Sequence, residues 1–320
     1  MRILSGVHEA IGNTPIVELS RLTKELSGRL LAKLEYLNPG FSKKDRAALQ
    51  IITEAEDSGE LSPGQTVVEL TSGNMGTGLA IVCAVKAYPF VAVMSTGNSI
   101  ERARMMKALG AEVILVDQAW GSVPGQVSGE DLKLVEARAQ TITKERGAFR
   151  ADQFLNRGNV HSHEYGTAQE IWEQTDGAID VFLDFVGSGG TFIGCAKALK
   201  ARKASMRCYV VEPASAPYLA GQPITNPHHK IQGGGYSMNL RFMEAEEQQG
   251  LIDGYLHVSD DEAIMAARDL ARQEGIFAGF STGANIAAAL RVLRTTEQGS
   301  TVLFTVNDSG LKYLSTDLYI

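Results

Sequence analysis

The amino-acid sequence predicts an α/β protein of two domains, each a parallel sheet covered by helices. Two blocks of strand and helix alternation predict it, one from Thr66 to Val116 and one from His163 to Val211, and their apolar strands read as buried on two faces. A chain of 320 residues has room for two medium domains, each with its own core.

In chain order, a short helix near Ser5 to Ile11 is followed by a turn at Gly12-Asn13-Thr14-Pro15 and strands at Ile16–Leu19 and Leu30–Leu37. Pro39 and Gly40 break the chain before a helix that includes Ala47–Ile52. The first block then runs Val67–Leu70 (strand), Gly76–Lys86 (helix), Val91–Met94 (strand), Glu101–Leu109 (helix) and Val113–Val116 (strand), with Gly110 as a helix C-cap. Ser, Gly, Pro and Gln between Gln118 and Gly129 mark a loop before the helix Asp131–Arg146. The second block is a helix around His163–Gln174, a strand Ile179–Val186, a helix Thr191–Ala201 and a strand Cys208–Val211. Pro213–Asn239 has little periodicity and reads as a long ordered loop bordering a site. Ser259-Asp260-Asp261-Glu262 is a capping box for a helix to Gln273 that Gly275 closes; a further helix starts in Thr282-Gly283-Ala284, and Thr301–Val306 is a last buried strand.

Composition narrows the function classes. Net charge is -7 with no dense Lys/Arg block, which argues against nucleic acid and anionic membranes and for a small-molecule partner. No apolar run approaches a signal peptide or a membrane span, so a cytoplasmic protein is expected. Cys83, Cys195 and Cys208 are isolated among apolar or small residues and read as buried structural thiols. No Cys/His/Asp cluster has zinc spacing, and no metal is expected.

Four stretches carry chemistry, and a fifth, at Gln153, says little by itself. Asn38-Pro39-Gly40-Phe41-Ser42-Lys43-Lys44-Asp45-Arg46 brings lysines to a helix N-terminus, where the macrodipole disfavours the charged amine and favours a nucleophilic one capable of Schiff-base chemistry. Taken alone, it reads as a solvated helix cap. Thr71-Ser72-Gly73-Asn74-Met75-Gly76 joins a strand end to a helix start, with hydroxyls, an amide and N–H groups suited to a carboxylate or phosphate. Gly187-Ser188-Gly189-Gly190-Thr191 also stands between strand and helix. It is not a Walker loop, and Phe192 occupies the place of the third glycine of a dinucleotide fingerprint, so a compact phosphate ester fits better than a pyrophosphate. Gly279-Phe280-Ser281-Thr282-Gly283 is a hydroxyl-bearing turn that by itself reads as an N-cap, and Gln153-Phe154-Leu155-Asn156 follows an apparent strand end.

In order and spacing these stretches, with Ile11–Pro15, Glu170–Gly177 and Tyr313–Thr316, resemble the cysteine synthase/cystathionine β-synthase family of fold-type-II pyridoxal-phosphate enzymes over nearly the whole chain. The resemblance implies two three-layer α/β domains with mostly parallel twisted sheets, of the tryptophan synthase β type. It divides the chain into a smaller domain of residues 1–11 and 36–147 and a larger one of 12–35 and 148–320, with the cofactor in the cleft between them. It further implies that Lys44, not Lys43, carries pyridoxal 5'-phosphate as an internal aldimine. Asn74 would bond the ring oxygen, Gly187, Ser188, Gly189, Gly190 and Thr191 the phosphate, and Ser281 the pyridine nitrogen. Thr71, Ser72, Gly73, Met75, Gln153 and Gly234 would line the substrate, with Thr71, Ser72 and Gln153 gripping its carboxylate. A hydroxyl at the pyridine nitrogen leaves the ring unprotonated and suits β-elimination, with Lys44 as base and acid at the α-carbon.

The implied activity is β-replacement on O-acetylserine or O-phosphoserine through an aminoacrylate, with sulfide giving cysteine, in a homodimer. Cyanide, an amine or a thiol could replace sulfide; a desulfhydrase or dehydratase would stop at elimination; a retired homologue would only bind. Several positions depart from the family: Phe41 stands for a small residue, Lys43 for an apolar one, Met75 for threonine, as in β-cyanoalanine synthases, and Gln232–Tyr236 for a Gly-Ile-Gly-Ala-Gly loop. Phe41 could simply pack the turn and Met75 fill the core.

Overall fold

The computed structural model describes residues 3–71, 73–98, 100–122, 127, 129–244 and 250–320. Its strands are β1 (Ile16–Glu18), β2 (Arg29–Lys33), β3 (Val67–Leu70), β4 (Phe90–Ser95), β5 (Glu112–Val116), β6 (Phe149–Arg150), β7 (Val181–Phe185), β8 (Arg207–Pro213), β9 (Gly254–Val258) and β10 (Thr301–Thr305). The α-helices among the described residues are α1 (Lys44–Ser58), α2 (Asn74–Lys86), α3 (Ile100–Ala108), α4 (Gly129–Arg146), α5 (Gly158–His161), α6 (Ala168–Thr175), α7 (Gly190–Arg202), α8 (Asp260–Asp269) and α9 (Phe280–Arg294).

Two compact units result, Met1–Ile11 with Asn38–Asn159, and Gly12–Leu37 with Val160–Ile320. Relative to the division at 147/148, the last crossing comes later because Phe149–Arg150 pairs with the first unit's sheet, Val67 opposite Phe149 and Val68 opposite Arg150.

The first unit holds a four-stranded, all-parallel sheet in the order β5-β4-β3-β6. Alternate side chains supply its two faces. Val67, Phe90, Ala92 and Met94 pack in one cluster with Ala48 and Ile52 of α1 and Leu79 of α2, while Val68, Val91 and Val93 pack in another with Val135, Ala139 and Ile142 of α4. Three layers follow from a sheet that is apolar on both sides.

The second unit has a six-stranded sheet, β1-β2-β10-β7-β8-β9, parallel except for the antiparallel β1–β2 pair. Val181, Leu183 and Phe185 share a cluster with Ala284 and Ala288 of α9; Phe182 sits 6.3 Å, ring to ring, from Phe192 of α7. The α/β expectation with mostly parallel sheets is met.

Local differences have physical reasons. The strand expected to run to Leu37 ends at Lys33 and passes into a 3₁₀ turn, Glu35–Leu37, because the buried Glu35 accepts a hydrogen bond from Thr14 Oγ1 at 2.7 Å. The helix expected at His163–Gln174 is interrupted by a π-helical turn, Ser162–Thr167. Gly194 of α7 presses on that turn so closely that a Cβ there would stand 2.5 Å from the Val160 carbonyl oxygen and 2.8 Å from the Glu164 nitrogen. The capping box forms as expected, Ser259 Oγ accepting from the Glu262 N–H and the Glu262 carboxylate accepting from the Ser259 N–H.

Candidate active site

In the first unit, three stretches gather at the C-terminal ends of β3 and β6 and at the N-terminus of α1. Lys44 is the first residue of α1 and is half-buried; Lys43 before it is more deeply buried. The preceding turn is pinned by Asp45, whose Oδ2 accepts the Gly40 N–H at 2.5 Å, and a Cβ on Gly40 would collide with that carboxylate at 2.4 Å. Phe41 holds a left-handed φ of 61°, uncommon for a bulky residue, and its ring is half-exposed. Gly78 lets α2 approach α1 at this corner: a Cβ there would stand 3.1 Å from both the Lys44 carbonyl oxygen and Asp45 Cα.

Asn74 is the first residue of α2. Thr71 caps the same helix, its Oγ1 accepting from the Gly76 N–H at 2.8 Å, which leaves its own proton to donate. Gly73 is the N-cap, and Ser72 lies outside the described residues. Met75, expected beside the substrate, is 2 % exposed and packs within the apolar cluster. Gln153 follows β6, parallel neighbour of β3, so its loop leaves the same sheet edge as Thr71. Asp152, at φ 43°, makes the bend, and Asn159 Nδ2 donates to the Gln153 carbonyl at 2.7 Å.

Beneath these loops Glu69 on β3 is fully buried, with the Arg150 guanidinium 3.7 Å away and the backbone N–H groups of Asp152 and Gln153 turned toward its carboxylate. Burial pushes its pKa up to about 8, against the downward pull of Arg150.

In the second unit, Gly187–Thr191 leads from β7 into α7, with Gly189 at φ 93° as the N-cap. A Cβ on Gly187 would meet the Gly233 carbonyl oxygen at 2.6 Å, and one on Gly234 the Val186 carbonyl oxygen at 2.4 Å, so the loops 187–191 and 232–235 are packed backbone to backbone. The Gly235 N–H donates to Val186 O at 2.9 Å. His163 supports the loop from below: Nε2 is 3.2 Å from Thr191 Oγ1 and Nδ1 is 2.8 Å from Thr167 Oγ1. Sequence reasoning passed over His163, whose only signal was a His–Thr spacing of four within a helix. Ser281 is the second residue of α9, 6 % exposed, and its Oγ accepts from Asn307 Nδ2 at 3.0 Å.

A family model described as "Pyridoxal-phosphate dependent enzyme" matches residues 7–308. The chain belongs to this family. Within it, the chain is 39% identical over 318 residues to a cysteine synthase of Staphylococcus aureus, covering 99% of this chain and 97% of that protein. Among solved structures, O-acetylserine sulfhydrylase isoform 3 of Entamoeba histolytica superposes with a TM-score of 0.89 at 36% identity, covering 99% of this chain and 92% of that one. An O-ureido-L-serine synthase gives 0.88 at 35%, with 99% and 96% coverage. A hydrogen sulfide-producing enzyme of Fusobacterium nucleatum gives 0.87 at 38%, with 98% and 100% coverage. The protein is a pyridoxal-phosphate-dependent enzyme of the cysteine synthase, fold-type-II kind.

Its residues fit that cofactor. The 187–191 turn offers backbone N–H groups at the N-terminus of a 13-residue helix, as a phosphate requires. Ser281 adds a hydroxyl whose proton is not used by its bond to Asn307. Cys83 and Cys208 are buried, which pushes both thiols up to about 12, and Cys195 is buried as well. Among the described residues, no group of His, Cys, Asp and Glu could hold a metal, and no helix is long and apolar enough to cross a membrane.

Proposed function

We propose that this protein catalyses β-replacement on an activated L-serine, O-acetylserine or O-phosphoserine, with sulfide as nucleophile and L-cysteine as product. The observation that carries the reading is the near full-length likeness to cysteine synthases, 39% identical over 318 residues, in a chain that retains a lysine at the start of α1.

Bound pyridoxal phosphate supplies the electron sink that weakens bonds at the substrate's α-carbon. Lys44 would anchor the cofactor, and its freed amine would take the substrate's α-proton as the β-leaving group departs with its bonding pair and return it after sulfide has added at the β-carbon. Asn74 would hold the ring oxygen, Ser281 the ring nitrogen, and Gly187, Ser188, Gly189, Gly190 and Thr191 the phosphate, with His163 behind them. Thr71, Ser72 and Gln153 would take the substrate carboxylate; Gly73, Met75 and Gly234 would border the same substrate. By the family resemblance the working form is a cytoplasmic homodimer, which sedimentation and fractionation would test.

The test is a screen of the purified holoenzyme with O-acetylserine, O-phosphoserine, serine and cysteine, followed by added sulfide, cyanide or thiols, with products identified by mass. Cysteine from an activated serine and sulfide is the expected result. Pyruvate and ammonia formed without a nucleophile would instead make the protein an eliminating lyase, a reading favoured by its 38% identity to the hydrogen sulfide-producing enzyme.

A further inference from the structure

Ser281 ends a buried polar chain inside the second unit. Its Oγ is 3.0 Å from Asn307 Nδ2, Asn307 Oδ1 is 2.6 Å from Thr305 Oγ1, and Thr305 Oγ1 is 2.6 Å from Asp184 Oδ1. All four side chains are buried. Their places are fixed from several sides. Asn285 Nδ2 reaches Asp184 Oδ1 at 3.2 Å and the Thr305 carbonyl at 3.0 Å, and the Asn307 N–H donates to Thr282 Oγ1 at 3.0 Å.

An amide can turn over and exchange donor for acceptor, and Ser281 would then change role with it. In this structure the amide nitrogen faces Ser281 at 3.0 Å and the amide oxygen faces Thr305 at 2.6 Å. In that orientation Ser281 Oγ accepts from Asn307, and its own proton is left to donate elsewhere.

We propose that Asn307 is a positioning residue: held by Thr305, it fixes Ser281 as a hydrogen-bond donor to the cofactor's ring nitrogen and so keeps that nitrogen unprotonated. This rests on the assignment of Ser281 to the ring nitrogen made above. An unprotonated ring is the weaker electron sink, suited to losing a β-group rather than to holding charge at the α-carbon. Asn307 therefore acts on the chemistry without touching the substrate.

The experiment is ¹⁵N NMR of the holoenzyme loaded with ring-¹⁵N pyridoxal phosphate, because that resonance reports ring protonation whether or not the enzyme turns over. Wild-type protein is expected at the unprotonated position. Asn307→Asp places an acceptor on both sides, draws the Ser281 proton away from the ring, and should shift the resonance toward the pyridinium position. Thr305→Val, which removes the hydroxyl at nearly constant volume, should shift it in the same direction, and Thr305→Ser should restore it. Ser281→Ala separates the two levels of the argument. A resonance unmoved by Ser281→Ala would overturn the assignment of Ser281, and the inference with it. One that moves in Ser281→Ala but stays in place in both Asn307→Asp and Thr305→Val would overturn the role of Asn307 alone.

Discussion

The functional stretches of the two units are built on opposite principles. In the second unit the loops 187–191 and 232–235 make their left-handed turns at glycine, Gly189 at φ 93°, Gly233 at 96° and Gly235 at 69°, and the side chains behind them form a hydrogen-bonded chain from Asp184 to Ser281. The site loops of the first unit put Phe41 at φ 61° and Asp152 at 43°, positions where side chains cost of order 1–3 kcal/mol, above the buried Glu69. The relaxed set includes the turn assigned to the phosphate, the residue assigned to the ring nitrogen and the 232–235 loop around Gly234. Strain is stored instead beside the residues assigned to the lysine and the substrate carboxylate. The chain's departures from its family fall in both units, at Phe41, Lys43 and Met75 in the first and at Gln232–Tyr236 in the second.

The strongest way to break that division is at its chemical centre. Lys44→Ala should lower turnover by at least about a thousandfold and remove the linkage that borohydride fixes, while the protein still folds. Peptide mapping of the reduced wild-type enzyme checks it, and a label on Lys43 would transfer the role to the buried neighbour. Next in size is Gly187→Ala. A Cβ 2.6 Å from the Gly233 carbonyl oxygen must push the 187–191 and 232–235 loops apart, at about 1–3 kcal/mol of stability and with weaker cofactor retention. Dialysis against buffer, followed by absorbance of bound cofactor, measures the second effect; retention equal to wild type would mean that the cradle is softer than its packing.

What the sequence reveals follows the same line. Strands β3, β4, β7 and β8 are legible because burial on two faces writes them as apolar runs, and the site motifs are legible because they punctuate strand ends. β6 has two residues, too few for any pattern, and β9 is a half-buried sheet edge in which only Val258 is buried. The π turn at His163 packs closely against Gly194 of α7, a contact between distant stretches that no local pattern carries. Supporting residues are the least legible. Thr305 and Asp184 are 121 residues apart, Asp184 the one polar position of β7 and Thr305 one of two threonines in β10, and nothing local tells a buried partner from a tolerated polar residue. Glu69, alone in Val67-Val68-Glu69-Leu70, is hidden in the same way.

Glu69 gives the comparison a pH signature. A carboxyl whose pKa rises on folding from 4.5 to about 8 stabilises the fold in its protonated form; that stability is whole below 4.5 and is lost as pH climbs toward 8. At about 1.4 kcal/mol per unit the loss amounts to a few kcal/mol, the pull of Arg150 being already contained in the value of about 8. Glu69→Gln cannot ionise, so it should flatten the fall in thermal midpoint between pH 5 and 8 (about the window those values set) and be the more stable protein above it. Parallel curves for variant and wild type would show that Glu69 ionises freely.

The smallest effect expected is at Phe41. Replacing it with glycine removes the left-handed penalty but adds backbone freedom to the unfolded chain, so the net gain should be about 0.5–1 kcal/mol, read from the denaturant midpoint. Phe41→Ala is the necessary partner, because it loses the ring and keeps the strain. The ring is 46% exposed, so deleting it forfeits little burial, and glycine should exceed alanine in stability. Kinetics then separate backbone from side chain. If the ring shapes substrate choice, both variants change KM alike; if the bent backbone aims the lysine at the start of α1, alanine keeps wild-type turnover and glycine loses part of it. Equal stability of the two variants would remove strain from the first unit's turn, and with it the contrast to the second.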